Sequence, residues 1–110
     1  MNINFETIEE QRIPGFKGGE GVAVVKMYVD DSIRIIKGYL EKGSSIGMHT
    51  HEGSSETVYI LGGRGKMIYD DKEELLAEGC CSYCPEGHSH SLVNTGDRPL
   101  WFLGVVPNLK

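Results

Sequence analysis

The chain has 110 residues, a net charge of −5 at pH 7 and an isoelectric point near 5.3. This length suits one domain with one hydrophobic core, and a 39% apolar share is typical of a folded soluble protein. The acidic balance argues against a nucleic-acid partner, which would require a basic patch. No apolar run approaches the roughly 20 residues that span a bilayer, so no membrane partner is predicted.

The N-terminal residues lack a basic segment followed by an apolar run, so the sequence predicts no signal peptide. Three cysteines, an odd number, do not indicate a disulfide framework and fit a reducing compartment. We therefore expect a cytoplasmic protein.

Fifteen glycines, many of them between short apolar runs, are typical of an all-β chain. Residues 1–20 are expected to be irregular, with one helical turn at 7–11 as an option. The predicted strands, in chain order, are 22–29, 33–41, 48–51, 56–61, 65–69, 73–77, 80–84, 88–94 and 100–106. Segment 73–77 could also be a helical turn, but a hairpin fits its spacing better. Eight or nine short strands at regular spacing predict a sandwich or barrel.

Two histidines one residue apart, His49 and His51, precede Glu56 by a few residues. Successive strand residues point to opposite faces, so the two imidazoles share one face if this segment is a strand. Together with the carboxylate and with His90 from a later strand, they form a ligand set suited to a divalent transition metal.

These residues lie in two blocks that resemble the two signature motifs of the cupin superfamily. The matching residues of the first block are Gly43, His49, His51, Glu56 and Gly63. Those of the second are Gly79, Pro85, Gly87, His90 and Asn94. The fifteen residues between the blocks, 64–78, are similar to the shortest such segment in the family.

The resemblance implies a cupin-type double-stranded β-helix, a jelly-roll barrel of two antiparallel sheets. Residues 1–110 would form this single domain, with the first motif at 43–63 and the second at 79–94. The resemblance also implies that the metal ligands are the three histidines and the glutamate of the motifs: His49, His51, Glu56 and His90. We expect Asn94 to cap a turn or brace His90.

Several metals fit this ligand set. Three neutral imidazoles and one carboxylate leave a divalent ion with about one net positive charge. An octahedral ion such as Fe, Mn, Co or Ni would keep two positions for water, oxygen or a chelating substrate. A tetrahedral Zn site would be filled by the four ligands, and Cu is also compatible.

Three functions are open, because one fold hosts many activities. The first is an enzyme that acts on a small anionic or oxygen-rich substrate by dioxygenation, isomerisation or lyase chemistry. The second is a module that binds a small ligand, such as a sugar or carboxylate, without turnover. The third is a remnant that binds a metal and no substrate. We favour the enzyme, because a purely structural barrel needs no open metal.

The cysteine segment Cys81-Ser82-Tyr83-Cys84 could be read as half of a zinc site. Strand parity argues against this reading and against a redox disulfide, because Cys81 and Cys84 are an odd number of residues apart and face opposite sides. We expect reduced packing thiols at 80, 81 and 84, and the alternative is that one of them lies near the metal. In cupins this strand lies against the metal pocket, so one of the pairs 82/84 and 81/83 should line it, which makes Tyr83 a catalytic candidate.

Two further residues are catalytic or binding candidates. His88 is either an exposed turn residue or a proton shuttle or anion clamp at the mouth of the pocket. Arg34, in an apolar strand, is either a clamp for a substrate carboxylate or an arginine on the solvent face. Small cupins are often homodimers, so we expect a dimer, with Tyr59, Leu61 and residues 101–103 as apolar outward positions at the interface.

Overall fold

The computed structural model describes residues 1–109 of the chain. Its ten strands are β1 (Gln11–Pro14), β2 (Val22–Val29), β3 (Ile33–Leu40), β4 (His49–Thr50), β5 (Glu56–Gly62), β6 (Arg64–Tyr69), β7 (Lys72–Ala77), β8 (Cys81–Cys84), β9 (Ser89–Asn94) and β10 (Leu100–Pro107). Short 3₁₀ helices occupy Phe5–Thr7 and Phe16–Gly18. Within residues 1–109, no helix has the length and apolar character needed to cross a membrane.

The strands form two antiparallel sheets. The larger sheet has the order β1-β2-β3-β10-β5-β8, and the smaller sheet has the order β4-β9-β6-β7. Alternation along β10 explains how the larger sheet makes one face of the core, because Leu100 and Phe102 are buried while Trp101 between them is exposed. Met67 and Leu92 supply the opposing face from the smaller sheet. The predicted all-β jelly roll of two antiparallel sheets is confirmed.

The N-terminal segment is more regular than expected. Gln11–Pro14 pairs with β2, with Gln11 opposite Val25 and Pro14 opposite Val22. The helical turn predicted at 7–11 is wrong: the turn lies at Phe5–Thr7, where the side chain of Asn4 accepts a hydrogen bond from the Glu6 amide. The backbone after this capped turn pairs with the edge of the larger sheet.

The turns of the two motifs contain glycine in the left-handed region of the backbone. All four motif glycines, Gly43, Gly63, Gly79 and Gly87, have positive φ, between 76° and 92°. The segment expected as strand or helical turn is strand β7, paired with β6 in a hairpin. Asn94 caps a turn: its side-chain amide donates to the carbonyls of Leu40, Glu41 and Arg98, and its oxygen accepts from the Gly96 amide.

One of the residues predicted to face outward in β10 is buried instead. Trp101 is 40% exposed, but Phe102 is buried in the core, so residues 101–103 cannot all face outward. Strand alternation makes this unavoidable for three consecutive residues of β10. Tyr59 and Leu61, at 43% and 37% exposure, do lie outward on the neighbouring strand β5.

Candidate metal centre

Short strand β4 and its partner β9 place two of the predicted ligands side by side. His49 is directly opposite His90 in the antiparallel pairing, and Thr50 is opposite Ser89. His51 follows β4 immediately, and its amide donates to the His88 carbonyl. Glu56 begins β5, so it reaches the same point from the larger sheet.

The four side chains converge on one point. His90 Nε2 lies 3.0 Å from His51 Nε2, 3.1 Å from His49 Nε2 and 2.9 Å from Glu56 Oε1. Glu56 Oε1 lies 3.1 Å from His51 Nε2 and 3.7 Å from His49 Nε2. One donor atom from each residue lies within 4.8 Å of all the others. The sequence-predicted quartet is therefore a compact cluster that resembles a metal site.

Hydrogen bonds on the outer side of the cluster orient the imidazoles. His49 Nδ1 lies 2.8 Å from the carbonyl oxygen of Gly47. A carbonyl can only accept, so Nδ1 carries the hydrogen, and in the neutral ring Nε2 presents a lone pair to the centre. His51 Nδ1 lies 3.0 Å from Ser54 Oγ, a hydroxyl that can accept its hydrogen or donate to it. Lone pairs that face one another across about 3 Å suit a shared cation, and such outer hydrogen bonds are typical of metal-bound histidine.

The glutamate of the cluster is held in its charged form. Burial by itself raises the pKa of the Glu56 carboxyl, but its close contacts with His49, His51 and His90 together outweigh burial. The pKa of Glu56 therefore lies well below its usual range. The carboxylate supplies one fixed negative charge among three imidazoles, and this balance fits a divalent cation.

A narrow cavity, which we call the histidine cavity, adjoins the cluster and has a volume of ≈ 30 Å³. By the same measure roughly two water molecules would fill it. Its lining consists of Phe16, Lys17, Arg34, Ile36, Ile46, His49, His51, Glu56, Phe102 and Val106. Its walls are mainly apolar, with the cluster at one side and two cationic residues among the lining.

Arg34 lies on the inner face of the larger sheet. It shares strand parity with Ile36 and Leu40, which are buried, and it is itself half-buried. The candidate arginine therefore faces the histidine cavity, and the alternative solvent-facing position is not the one observed. A guanidinium in this position can pair with a carboxylate held at the cluster.

The other two candidates lie outside the cavity lining. His88 is at the surface, with Nδ1 2.8 Å from Asp70 Oδ2 and 3.1 Å from the Tyr69 hydroxyl. The hydrogen bond from His88, and then one from the Ser89 amide, lower the pKa of the Asp70 carboxyl. Tyr83 is 60% exposed on the outer face of β8. The structure thus brings Arg34 to the cluster and leaves His88 and Tyr83 apart from it.

The cysteines follow the predicted parity. Cys81 is exposed and Cys84 is buried, on opposite faces of β8, and all three cysteines are free. Ser82 and Cys84 are the inward pair, with Cys84 opposite Glu56 in the pairing of β8 with β5. Burial, followed by the negative charges of Glu56 and Asp70, raises the pKa of the Cys84 thiol to about 11. Cys84 is therefore an inert packing thiol near pH 7.

Sequence reasoning missed several residues of this site. Phe16 and Lys17 line the cavity although they come from the segment expected to be irregular. Gly47 and Ser54, which orient His49 and His51, lie two and three residues from those histidines. Their closeness to the ligands was a usable signal, whereas the approach of Phe16 and Lys17 depends on tertiary packing.

A larger depression, which we call the arginine groove, lies elsewhere and has a volume of ≈ 500 Å³. It is lined by Gly63, Arg64, Ala77, Glu78, Gly96, Asp97 and Arg98. Its charged residues have both signs, and the metal-site-like cluster lies outside it.

Comparison with known proteins supports the fold. The family model described as "Cupin domain" matches residues 37–106. The oxalate-binding protein of Thermotoga maritima is 33% identical over 112 residues, which cover 96% of this chain and 93% of the relative. A crystal structure of a predicted oxalate decarboxylase from Thermotoga maritima has a TM-score of 0.87 and 32% identity, and covers 99% of this chain and 100% of the other.

A more distant structure shows the fold alone. An RmlC-like cupin from Shewanella frigidimarina has a TM-score of 0.79 at 17% identity and covers 98% of this chain and 90% of its own. The family match extends over more than half of the chain and includes all four residues of the cluster. The chain belongs to the cupin family.

Proposed function

We propose that this cupin holds a divalent transition metal through His49, His51, Glu56 and His90 and binds a small carboxylate of the oxalate class beside it. The observation that carries the proposal is the convergence of four donor atoms at the wall of a cavity that also contains Arg34. A curated relative and a solved structure, both from Thermotoga maritima, are described by oxalate binding and by a predicted oxalate decarboxylase activity.

The donor spacing fits a small divalent ion. Adjacent ligands at roughly 2.1 Å from an ion lie about 3.0 Å apart in octahedral coordination and about 3.4 Å apart in tetrahedral coordination. Four of the separations in the cluster are between 2.9 and 3.1 Å and a fifth is 3.7 Å, so both geometries fit. Fe, Mn, Co, Ni, Zn and Cu are therefore all candidates.

Each part of the site has a role in this proposal. A bound divalent ion would supply a Lewis-acid centre with open positions for oxygen donors. Arg34 would pair with a ligand carboxylate, because a guanidinium offers two parallel N–H donors to a planar anion. Ile36, Phe102 and Val106 would exclude water and so strengthen that ion pair. The small volume favours a compact ligand over a bulky one.

Turnover of the bound carboxylate is the second candidate function. It rests on 32% identity to the structure of a predicted oxalate decarboxylase, and it is the lyase case of the enzyme hypothesis. Apart from the four metal-site residues, the ionisable residues of the cavity lining are Lys17 and Arg34. Since neither is an ordinary acid catalyst near pH 7, we place ligand binding first.

The test begins with metal content. Protein purified without a histidine tag or chelator should contain about one divalent transition metal per chain, and the His49→Ala/His90→Ala double variant should contain almost none. Oxalate should raise the melting temperature of the wild type and leave that of the double variant unchanged. Release of carbon dioxide or formate from oxalate would establish turnover. A wild type that takes up no metal on reconstitution refutes the proposal.

We also propose a homodimer formed through the outer face of the larger sheet. Tyr59, Leu61 and Trp101 expose apolar surface there, and the Trp101 ring packs against the tilted Tyr39 ring with centroids 4.7 Å apart. Light scattering should give twice the chain mass, and Trp101→Lys should shift the protein to the monomer. A wild-type monomer at high concentration would contradict this assembly.

The proposed location is the cytoplasm. Three free cysteines, one of them exposed, fit a reducing compartment. Cell fractionation with an antibody against the chain would test this location, and recovery from an oxidising compartment would exclude it.

A further inference from the structure

Residues 14–21, which we call the glycine strap, contribute Phe16 and Lys17 to the lining of the histidine cavity. Gly15, Lys17, Gly18 and Gly21 of the strap have φ of 60°, 54°, 83° and 66°. Glycine adopts this left-handed backbone without steric cost, whereas an L side chain at Lys17 is strained. Within residues 1–109, Asp70 is the other non-glycine residue with positive φ. Retaining a strained side chain beside a site indicates a function for that side chain.

The strap is fixed to the segment that leads into the first histidine. The Gly47 amide donates to the Phe16 carbonyl at 2.9 Å, and the Ser45 amide donates to the Glu20 carbonyl at 2.9 Å. A Cβ atom at Gly47 would collide with the carbonyl oxygen of Lys17. Lys17 is therefore attached to a backbone whose position relative to the cluster is well determined.

Lys17 lines the same cavity as Arg34 and the cluster. Its ammonium group lies 6.0 Å from the centroid of the Phe16 ring, another cavity residue, and its side chain is exposed. With a divalent ion and Glu56 counted together as one positive charge, the ion, Arg34 and Lys17 bring about three positive charges to this small space. A monoanion would neutralise one of them, and a dianion two.

We infer that Lys17 determines specificity: it pairs with the outer carboxylate of a dianionic ligand and selects such ligands over monoanions of the same size. The inference rests on the proposed function, since it concerns the ligand bound beside the metal. The strap supplies a flexible, exposed ammonium group that can approach whichever oxygens lie farthest from the ion, while Arg34 is held in the sheet.

The experiment compares oxalate with glycolate on Mn²⁺-loaded protein by titration calorimetry. Both ligands chelate through two oxygens, but glycolate has one carboxylate and one negative charge. Lys17→Gly removes the ammonium group and suits the left-handed backbone. Lys17→Arg restores the charge. Lys42→Gly is the matched control, because it makes the same chemical change at an exposed turn residue outside the cavity lining.

Lys17→Gly should weaken oxalate binding about tenfold and glycolate binding less than about threefold. Its metal content should match that of the wild type, and its melting temperature should be equal or higher, because glycine relieves the backbone strain at this position. Lys17→Arg should recover most of the oxalate affinity, and Lys42→Gly should leave both affinities unchanged.

An unchanged ratio of oxalate to glycolate affinity in Lys17→Gly overturns the inference, and so does a loss of metal, which would assign the strap a structural role. Failure of the proposed function is seen separately and earlier. In that case the wild type takes up no Mn²⁺ or binds no oxalate, and both proposals fall.

Discussion

The histidine cavity and the arginine groove differ in a way that volume does not capture. The groove is much the larger, at ≈ 500 Å³ against ≈ 30 Å³. Arg64 and Arg98 of the groove are accompanied by Glu78 and Asp97, so cations and anions share one open, solvated surface. In the cavity, three imidazole nitrogens and a carboxylate oxygen converge where solvent is nearly excluded. The convergence of donor atoms, rather than cavity volume, therefore identifies the candidate functional site of this fold.

Removing His90 should have the largest effect on metal binding at the cluster, since its Nε2 contacts all three other donors. His90→Ala should lower metal content from about one ion per chain to almost none, as measured by plasma mass spectrometry. Arg98→Ala in the groove is the matched control and should retain the metal. Equal metal contents in the two variants would mean that the cluster is not the metal site.

Gly47→Ala should damage the cavity without touching a ligand. The added methyl group would collide with the carbonyl oxygen of Lys17 and displace the Gly47 carbonyl that orients His49. We expect a loss of about 1–3 kcal/mol in the free energy of unfolding and of about 10–100-fold in metal affinity. Gly62→Ala, where a Cβ atom meets open space, is the control. Normal metal affinity in Gly47→Ala would show that orientation by this carbonyl is dispensable.

Arg34→Met should keep the metal and weaken oxalate binding about tenfold, because a buried ion pair with the ligand is lost. Arg64→Met makes the same change in the arginine groove and should leave the oxalate affinity unchanged. Calorimetry on the metal-loaded proteins measures both. If the groove variant has the larger effect, the ligand site belongs to the groove.

Cys84 should have a smaller effect, on the pH dependence of stability, and this effect tests whether water is excluded from the interior near the cluster. Its pKa is raised to about 11, so the neutral thiol contributes fully to stability below the unfolded-state pKa of about 8.5. That contribution is lost as the pH rises toward 11. Wild-type protein should therefore lose more stability between pH 8 and 10.5 than Cys84→Ala does, in denaturant unfolding curves.

Thiol labelling at pH 8 provides the companion measurement. Cys81, exposed on the opposite face of β8, should react in native protein, whereas Cys84 should react only after unfolding. Rapid labelling of Cys84 in the native state would mean that water reaches the interior beside Glu56.

The fold and the ligand cluster were predictable because both depend on local rules. Strand parity placed His49 beside His51, and the motif spacing joined them to Glu56 and His90. The same parity separated Cys81 from Cys84, and the apolar runs located most strands to within one or two residues.

The rest depended on contacts between distant segments. Strand β1 has no alternating pattern of its own and forms because the edge of β2 accepts it. Lys17 reaches the cavity because Phe16 and Gly47, thirty-one positions apart in the sequence, share a backbone hydrogen bond. Whether His88 lies at the cavity or beside Asp70 was likewise set by the β6–β7 turn, which no pattern in the second motif contains.

The donor residues of the cluster come from both sheets, and this arrangement has a thermodynamic consequence. His49 lies on β4, which is two residues long and forms the edge of the smaller sheet, while Glu56 belongs to the larger sheet. An ion held by both would add a link between the two sheets, so its binding free energy would also be folding free energy. We then expect β4 to fray first when the ion is lost, because this two-residue strand has the fewest backbone hydrogen bonds.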